Sequence, residues 1–166
     1  MHRRDDQIRI VGHVVAELRD RRGALRARHE VHNLITDVGD QYIVDQLYSS
    51  PSAMTGMKLG SASTAAAKNG AGSYVGGADY VSGSAKAFDG GWPKEGASAN
   101  IVQFKRTFAA GEATGTIRRA SIVDNQSDAG EADASHTAAV AVFDADIPKG
   151  AGDTLTITWD WTILGS

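Results

Sequence analysis

The sequence predicts an all-β protein, an antiparallel, jelly-roll-like β-sandwich with one short α-helix and a long Gly/Ala-rich loop. Three observations carry this. From Asp153 to Leu164, Leu155, Ile157, Trp159, Trp161 and Ile163 alternate with Thr154, Thr156, Thr158, Asp160 and Thr162, the period of two of a half-buried strand. From Gln7 to Leu18, Ile8, Ile10, Gly12, Val14, Ala16 and Leu18 repeat the pattern. The chain also holds 19 Gly against 3 Pro, which favours turns over long helices. Its 166 residues suit a single sandwich domain over 1–166.

The elements follow in order. Arg19 to Gly23 is a charged break, and Ala24 to Ile35 resumes an extended pattern with Leu25, Ala27, Val31 and Ile35. Residues 1–35 are therefore expected to form a basic arm and hairpin. Thr36 is a good N-cap, Asp37 and Asp40 suit a first helical turn, and Val38, Tyr42, Ile43 and Leu47 recur at helical spacing. A helix is expected over about 37–48, covering one end of the sandwich, with Ser49, Ser50 and Pro51 ending it. Met57 and Leu59 lie in a short strand that ends in Gly60-Ser61.

From Ser61 to Asn100 neither periodicity persists, and Ala, Gly and Ser dominate around Tyr74, Tyr80, Phe88 and Trp92. A structureless loop of this length is rare in a free domain. It is expected to be disordered or ordered by a neighbour, with those four aromatics as contact anchors; the alternative is that they pack back as a lid. Val102, Phe104 and Phe108 share a strand face that Arg106 interrupts, as near an edge or a polar cavity. The phase change between Ile117 and Ile122 predicts a β-bulge. After an acidic loop over Asp124–Ser135, Ala139, Ala141, Phe143, Ala145 and Ile147 mark a strand that is expected to form a hairpin with the last one across Pro148–Gly152.

Charge is unevenly placed. Arg3, Arg4, Arg9, Arg19, Arg21, Arg22, Arg26 and Arg28 lie in the first thirty residues, whereas Asp124 to Asp160 holds eight acids and only Lys149. One reading is a solvated basic hairpin that keeps an edge soluble; the other is a basic patch that meets an acidic patch on a second subunit, with Arg19, Arg21, Arg22, Arg26 and Arg28 as contacts.

The chain lacks cysteine, which excludes disulfides and thiolate sites. No apolar run is long enough for a membrane span, and no cleavable signal is expected. The phosphate loop GxxxxGK[ST], the GxSxG elbow and the HExxH zinc helix are missing, so no catalytic residue and no cofactor are assigned. His29 and His32, three apart on a strand, point to opposite faces and are expected at the hairpin surface rather than on a shared metal. The acidic loop lacks EF-hand spacing.

The run Val31-His32-Asn33-Leu34-Ile35-Thr36-Asp37-Val38-Gly39, the later Met57-Lys58-Leu59-Gly60-Ser61, and the closing Asp153-Thr154-Leu155-Thr156-Ile157-Thr158-Trp159 resemble small virion structural proteins of tailed bacteriophages. The resemblance covers most of the chain in order. It implies a non-enzymatic capsid-decoration, head-associated or tail-associated β-sandwich located in the virion. It also implies a homo-oligomer, with a trimer expected, that binds capsid or tail subunits and neither membrane nor nucleic acid. Arg118, Arg119 and Ala120 stand where that group usually carries acidic charge. The alternative is a carbohydrate- or receptor-binding module of a phage fibre, stacking sugars on Tyr74, Tyr80 and Trp92.

Overall fold

The computed structural model describes residues 8–49, 53–69, 74–124 and 134–165. Two five-stranded antiparallel sheets face each other across one apolar core. Strands β1 (Ile8–Arg19), β2 (Leu25–His32), β6 (Lys94–Glu95), β7 (Ile101–Phe108) and β10 (Thr154–Gly165) form sheet A in the order β2-β1-β10-β7-β6. Strands β3 (Leu34–Ile35), β4 (Gly56–Gly60), β5 (Lys86–Ala87), β8 (Gly115–Val123) and β9 (Thr137–Lys149) form sheet B in the order β3-β9-β8-β4-β5. The chain is an all-β sandwich with one α-helix, α1 (Asp37–Gln46).

The two runs of strict alternation are the two central neighbours of sheet A. β1 and β10 pair along their whole length, from Ile8 opposite Gly165 to Arg19 opposite Thr154. Val14, Ala16, Leu18, Leu155, Ile157, Trp159 and Trp161 all point inward and are buried. Burial of each large apolar side chain contributes roughly 1.5 to 3 kcal/mol, so this pair anchors the core. The opposite core wall is Met57, Leu59, Ile117, Ile122, Phe143 and Ile147 of sheet B. Ile163, expected on the same inner face, is 41% exposed because β10 runs past the end of the core there.

The basic hairpin forms as β1–β2. At Asn33 the chain then leaves sheet A and enters sheet B as β3. Thr36 follows at once: its hydroxyl donates to the carbonyl of Thr137 at 2.6 Å and accepts from the Gly39 N–H at 3.1 Å, so one buried side chain both ties α1 to β9 and caps it. The helix ends at Gln46, with Leu47–Ser49 a turn rather than a further helical turn. Tyr42 and Ile43 pack on the core, so α1 covers one end of the sandwich as its apolar stripe requires.

The phase change in β8 is a bulge carried by its partner. Ile117 pairs Ile147 and Arg119 pairs Val142, so Phe143, Asp144, Ala145 and Asp146 of β9 stand opposite Arg118 alone. The extra length turns Phe143 into the core and Asp144 outward to His29 on β2, which links the sheets along one flank.

Three expectations change. Ala145, expected on the inner face of β9 with Phe143 and Ile147, is exposed because it lies in the bulge. β9 and β10 are not a hairpin, since β9 lies in sheet B and β10 in sheet A. The turn between them is a crossover in which Asp153 Oδ2 accepts from the Gly150 N–H at 2.9 Å and Gly150 O accepts from the Asp153 N–H at 3.1 Å. Both strands alternate well enough to pair, and sequence periodicity does not say with whom. The Ser61–Asn100 stretch, in its described residues, is ordered by its own chain. It contains a 3-10 turn at Gly77–Asp79 with β5 and β6, and Val75, Val81 and Ser84 are buried.

Candidate interaction surface

The largest irregular segment is organised by a buried cation. Arg119 of β8 donates to the carbonyls of Ala62 at 3.0 Å, Thr64 at 2.6 Å and Tyr74 at 3.4 Å, and lies 3.5 Å from Asp79. It is 2% exposed. Gly60 opposite makes room for it: a Cβ there would sit 2.6 Å from an Asp79 oxygen and 2.8 Å from Arg119 Cγ. Ser84 completes the anchorage, its hydroxyl accepting from the Leu59 N–H at 3.0 Å. Arg119 thus has a structural role in this fold.

Three of the four expected contact aromatics have side-chain contacts within their own chain. The Tyr80 hydroxyl accepts from the Ala85 N–H at 3.2 Å. Phe88 packs at a tilt against Phe104 with centroids 5.3 Å apart, and Trp92 lies beneath the Lys94 ammonium at 4.0 Å. Tyr74 is half-buried and gives its carbonyl to Arg119. Trp92 therefore offers no bare ring face on its Lys94 side. Large apolar side chains are exposed elsewhere, at Leu25, Val44, Leu47, Tyr48, Val102, Ile163 and Leu164. Of these, Leu47, Val102 and Ile163 line an apolar groove of about 360 Å³ between α1 and the end of sheet A, together with Ile10, Ile43, Phe104 and Trp161.

The hairpin arginines divide. Arg26 bonds the Asp153 carboxylate at 2.7 Å, Arg28 pairs with Glu17 and Glu30, and Arg19 donates to the Gly23 carbonyl at 3.1 Å. Arg21 and Arg22 are exposed, without an ion pair among the described residues. The acidic loop expected opposite them falls, over residues 125–133, outside the described residues.

A polar corner joins the crossovers at the far end from α1. Lys149 is buried and donates to the Ala109 carbonyl at 3.0 Å; burial pushes its ammonium below the ordinary lysine value, and Asp153 and Glu112 partly offset this. Arg106, the residue that interrupts the β7 face, points inward here and meets Glu112 at 2.7 Å and Asp89 at 3.7 Å. Burial works to raise the Glu112 carboxyl, but the Ala109 N–H, Lys86 and Arg106 together hold it below its ordinary value. Glu112 and Asp89 pair with the terminal nitrogens of Arg106, while its Nε is buried without a hydrogen-bond partner among the described residues. No set of three metal-ligating side chains gathers among the described residues.

His29 and His32 face opposite sides of β2. His29 is turned inward, its Nδ1 2.6 Å from Asp144, and this hydrogen bond holds the Asp144 carboxyl low. Its side chain is 13% exposed, so His29 is not the surface residue expected; the β9 bulge covers it. His32 lies on the outer face beside His13, with ring centroids 6.1 Å apart.

Searches of known protein families, of curated proteins and of solved structures return no match for this chain.

Proposed function

We propose that this chain is a non-enzymatic structural component of a tailed-bacteriophage virion, a capsid-decoration, head-associated or tail-associated subunit that assembles as a homo-oligomer against neighbouring virion proteins. The observation that carries the reading is where the resembling motifs fall. Asn33 is the bend between sheets, Thr36 the buried cap, Gly60 the space beneath Arg119, and Leu155, Ile157 and Trp159 the core. These are fold positions rather than catalytic ones, as the resemblance to a structural subunit implies. The exposed apolar rim around the α1 groove adds support, because apolar residues gathered at one end suit contact with another chain.

The fibre-module alternative draws less support, since Trp92, the aromatic best suited to stacking on a sugar, has Lys94 over its ring. Antibody labelling of intact particles from the genome that encodes the chain tests the proposal. Regular labelling of heads or tails is expected; unlabelled particles from cells that express the chain would overturn it.

A further inference from the structure

We propose that the N-terminal half of β1, Ile8–Gly12, is a docking edge to which an extended acidic segment of a partner chain adds as an extra strand of sheet A. Strand β1 has twelve residues, but β2 pairs only with its second half, from His13 onward. At Asn33 the chain turns away into sheet B, and none of the described residues pairs with the side of β1 that β2 would have covered.

Backbone direction shows which groups are exposed there. The Ile163 N–H bonds to Asn100 on the β7 side of β10, so the even-numbered residues of β10 bond to the odd-numbered residues of β1. Ile8, Ile10 and Gly12 therefore turn their N–H and C=O away from β10. The Gly12 carbonyl receives the Asn33 N–H at 3.3 Å and the His32 ring at 3.2 Å. Ile10 has no such partner among the described residues. Beside it opens a cleft of about 450 Å³, walled by Leu34 and Ile35 with Lys68 and Asp40 at its mouth. The free N–H and C=O of Ile10 next to a cleft offer the kind of edge that β-strand addition uses.

Charge selects the occupant. Arg9 is exposed, without an ion pair among the described residues, while Lys68 is neutralised by Asp40. The side chain opposite Arg9 on an added strand would share the outer face with it, so a carboxylate belongs there. The side chain opposite Ile10 would face the core side, so an apolar residue belongs next to the carboxylate. A second copy pairing through the same edge would bring two Arg9 side chains near each other, which disfavours self-pairing. The occupant is thus an extended segment with an acidic residue flanked by apolar ones, on a different protein. This goes beyond the virion reading and is tested without particles.

The probes are short synthetic peptides of alternating Val and Thr with Glu, Lys or Ser at one central outward position. Binding is followed by fluorescence anisotropy, and the Ile10 amide by hydrogen exchange. The Glu peptide is expected to bind about threefold to tenfold more tightly than the Lys peptide and to slow exchange at Ile10. Arg9→Glu should invert that order, and N-methylation of the peptide amide facing Ile10 should abolish binding. Four results would each overturn the proposal: no peptide slows Ile10; Glu and Lys peptides bind alike; Ile10 is already slow in the dilute chain, which means the edge is covered; or Ile10 slows with protein concentration alone, which makes a second copy the occupant.

Discussion

Arg119 and Asp79 lie 3.5 Å apart, Arg119 buried on β8 and Asp79 in the turn before Tyr80. The pair holds the Ala/Gly-rich segment to the sheet, because the same guanidinium takes the carbonyls of Ala62, Thr64 and Tyr74. Arg119→Met leaves those carbonyls without this donor and the Asp79 carboxylate without its cation. Removing one partner of a buried pair costs about 3 to 5 kcal/mol. Denaturant melts should show that loss, and limited proteolysis should cut first between Ala62 and Tyr80. A variant that melts like the wild type and resists cleavage there would show that the segment is held by other contacts.

Trp159→Ala and Trp161→Ala should each cost about 3 to 5 kcal/mol, since both indoles are buried on the inner face of β10. Asp160 points to the outer face, where it accepts from Gln103 at 2.6 Å, and Asp160→Ala should cost about 1 kcal/mol. Comparable losses for all three in denaturant melts would contradict the alternation of this strand.

What the sequence disclosed and what it hid follow from the range of the interactions. Alternation along β1 and β10 is local and strong, and the Thr36 cap is written within four residues, so these two strands, the helix and the fold class were legible, whereas the two-residue β5 and β6 were not. Pairing is not local. The Pro148–Gly152 turn suits a hairpin or a crossover equally, and the choice depends on β1 being free to pair with β10. The long segment looked structureless because its order comes from Arg119, about forty or more residues further along the chain. For the four aromatics the sequence left two readings open, contact with a neighbour or packing back as a lid, and nothing in their spacing showed that Phe88 would find Phe104. Arg106, an interruption in an apolar face, did signal a polar site, and Glu112 and Asp89 form it.

Acid should loosen the polar corner. The Glu112 carboxyl is held below its ordinary value of 4.5, so the folded state binds its proton less readily than the unfolded chain does. Its stabilisation is full above that value and is lost as pH falls through the lowered one. In thermal melts from about pH 7 to about pH 3, Glu112→Gln should be less stable than the wild type at neutral pH, and the gap should close in acid. A gap independent of pH would mean that the carboxylate charge contributes nothing there.

Charge reversal separates the hairpin arginines. Arg21→Glu with Arg22→Glu should change stability by no more than about 0.5 kcal/mol, as for exposed sites. Arg26→Glu should cost about 1 to 3 kcal/mol, because it removes the donor to Asp153, whose side chain is 8% exposed. If the patch meets an acidic neighbour, the Arg21/Arg22 pair should also lower binding to particles that lack the protein, most strongly at low salt, where screening is weakest. Unchanged binding at low salt would leave these arginines as solubility devices alone.

Quantitative mass spectrometry of purified particles tests the central claim most directly, because a structural subunit is present in a fixed ratio to the major capsid or tail protein. The expected result is a constant ratio that survives repeated gradient purification. Loss of the chain from infectious particles, or a ratio that drifts with each wash, would contradict it.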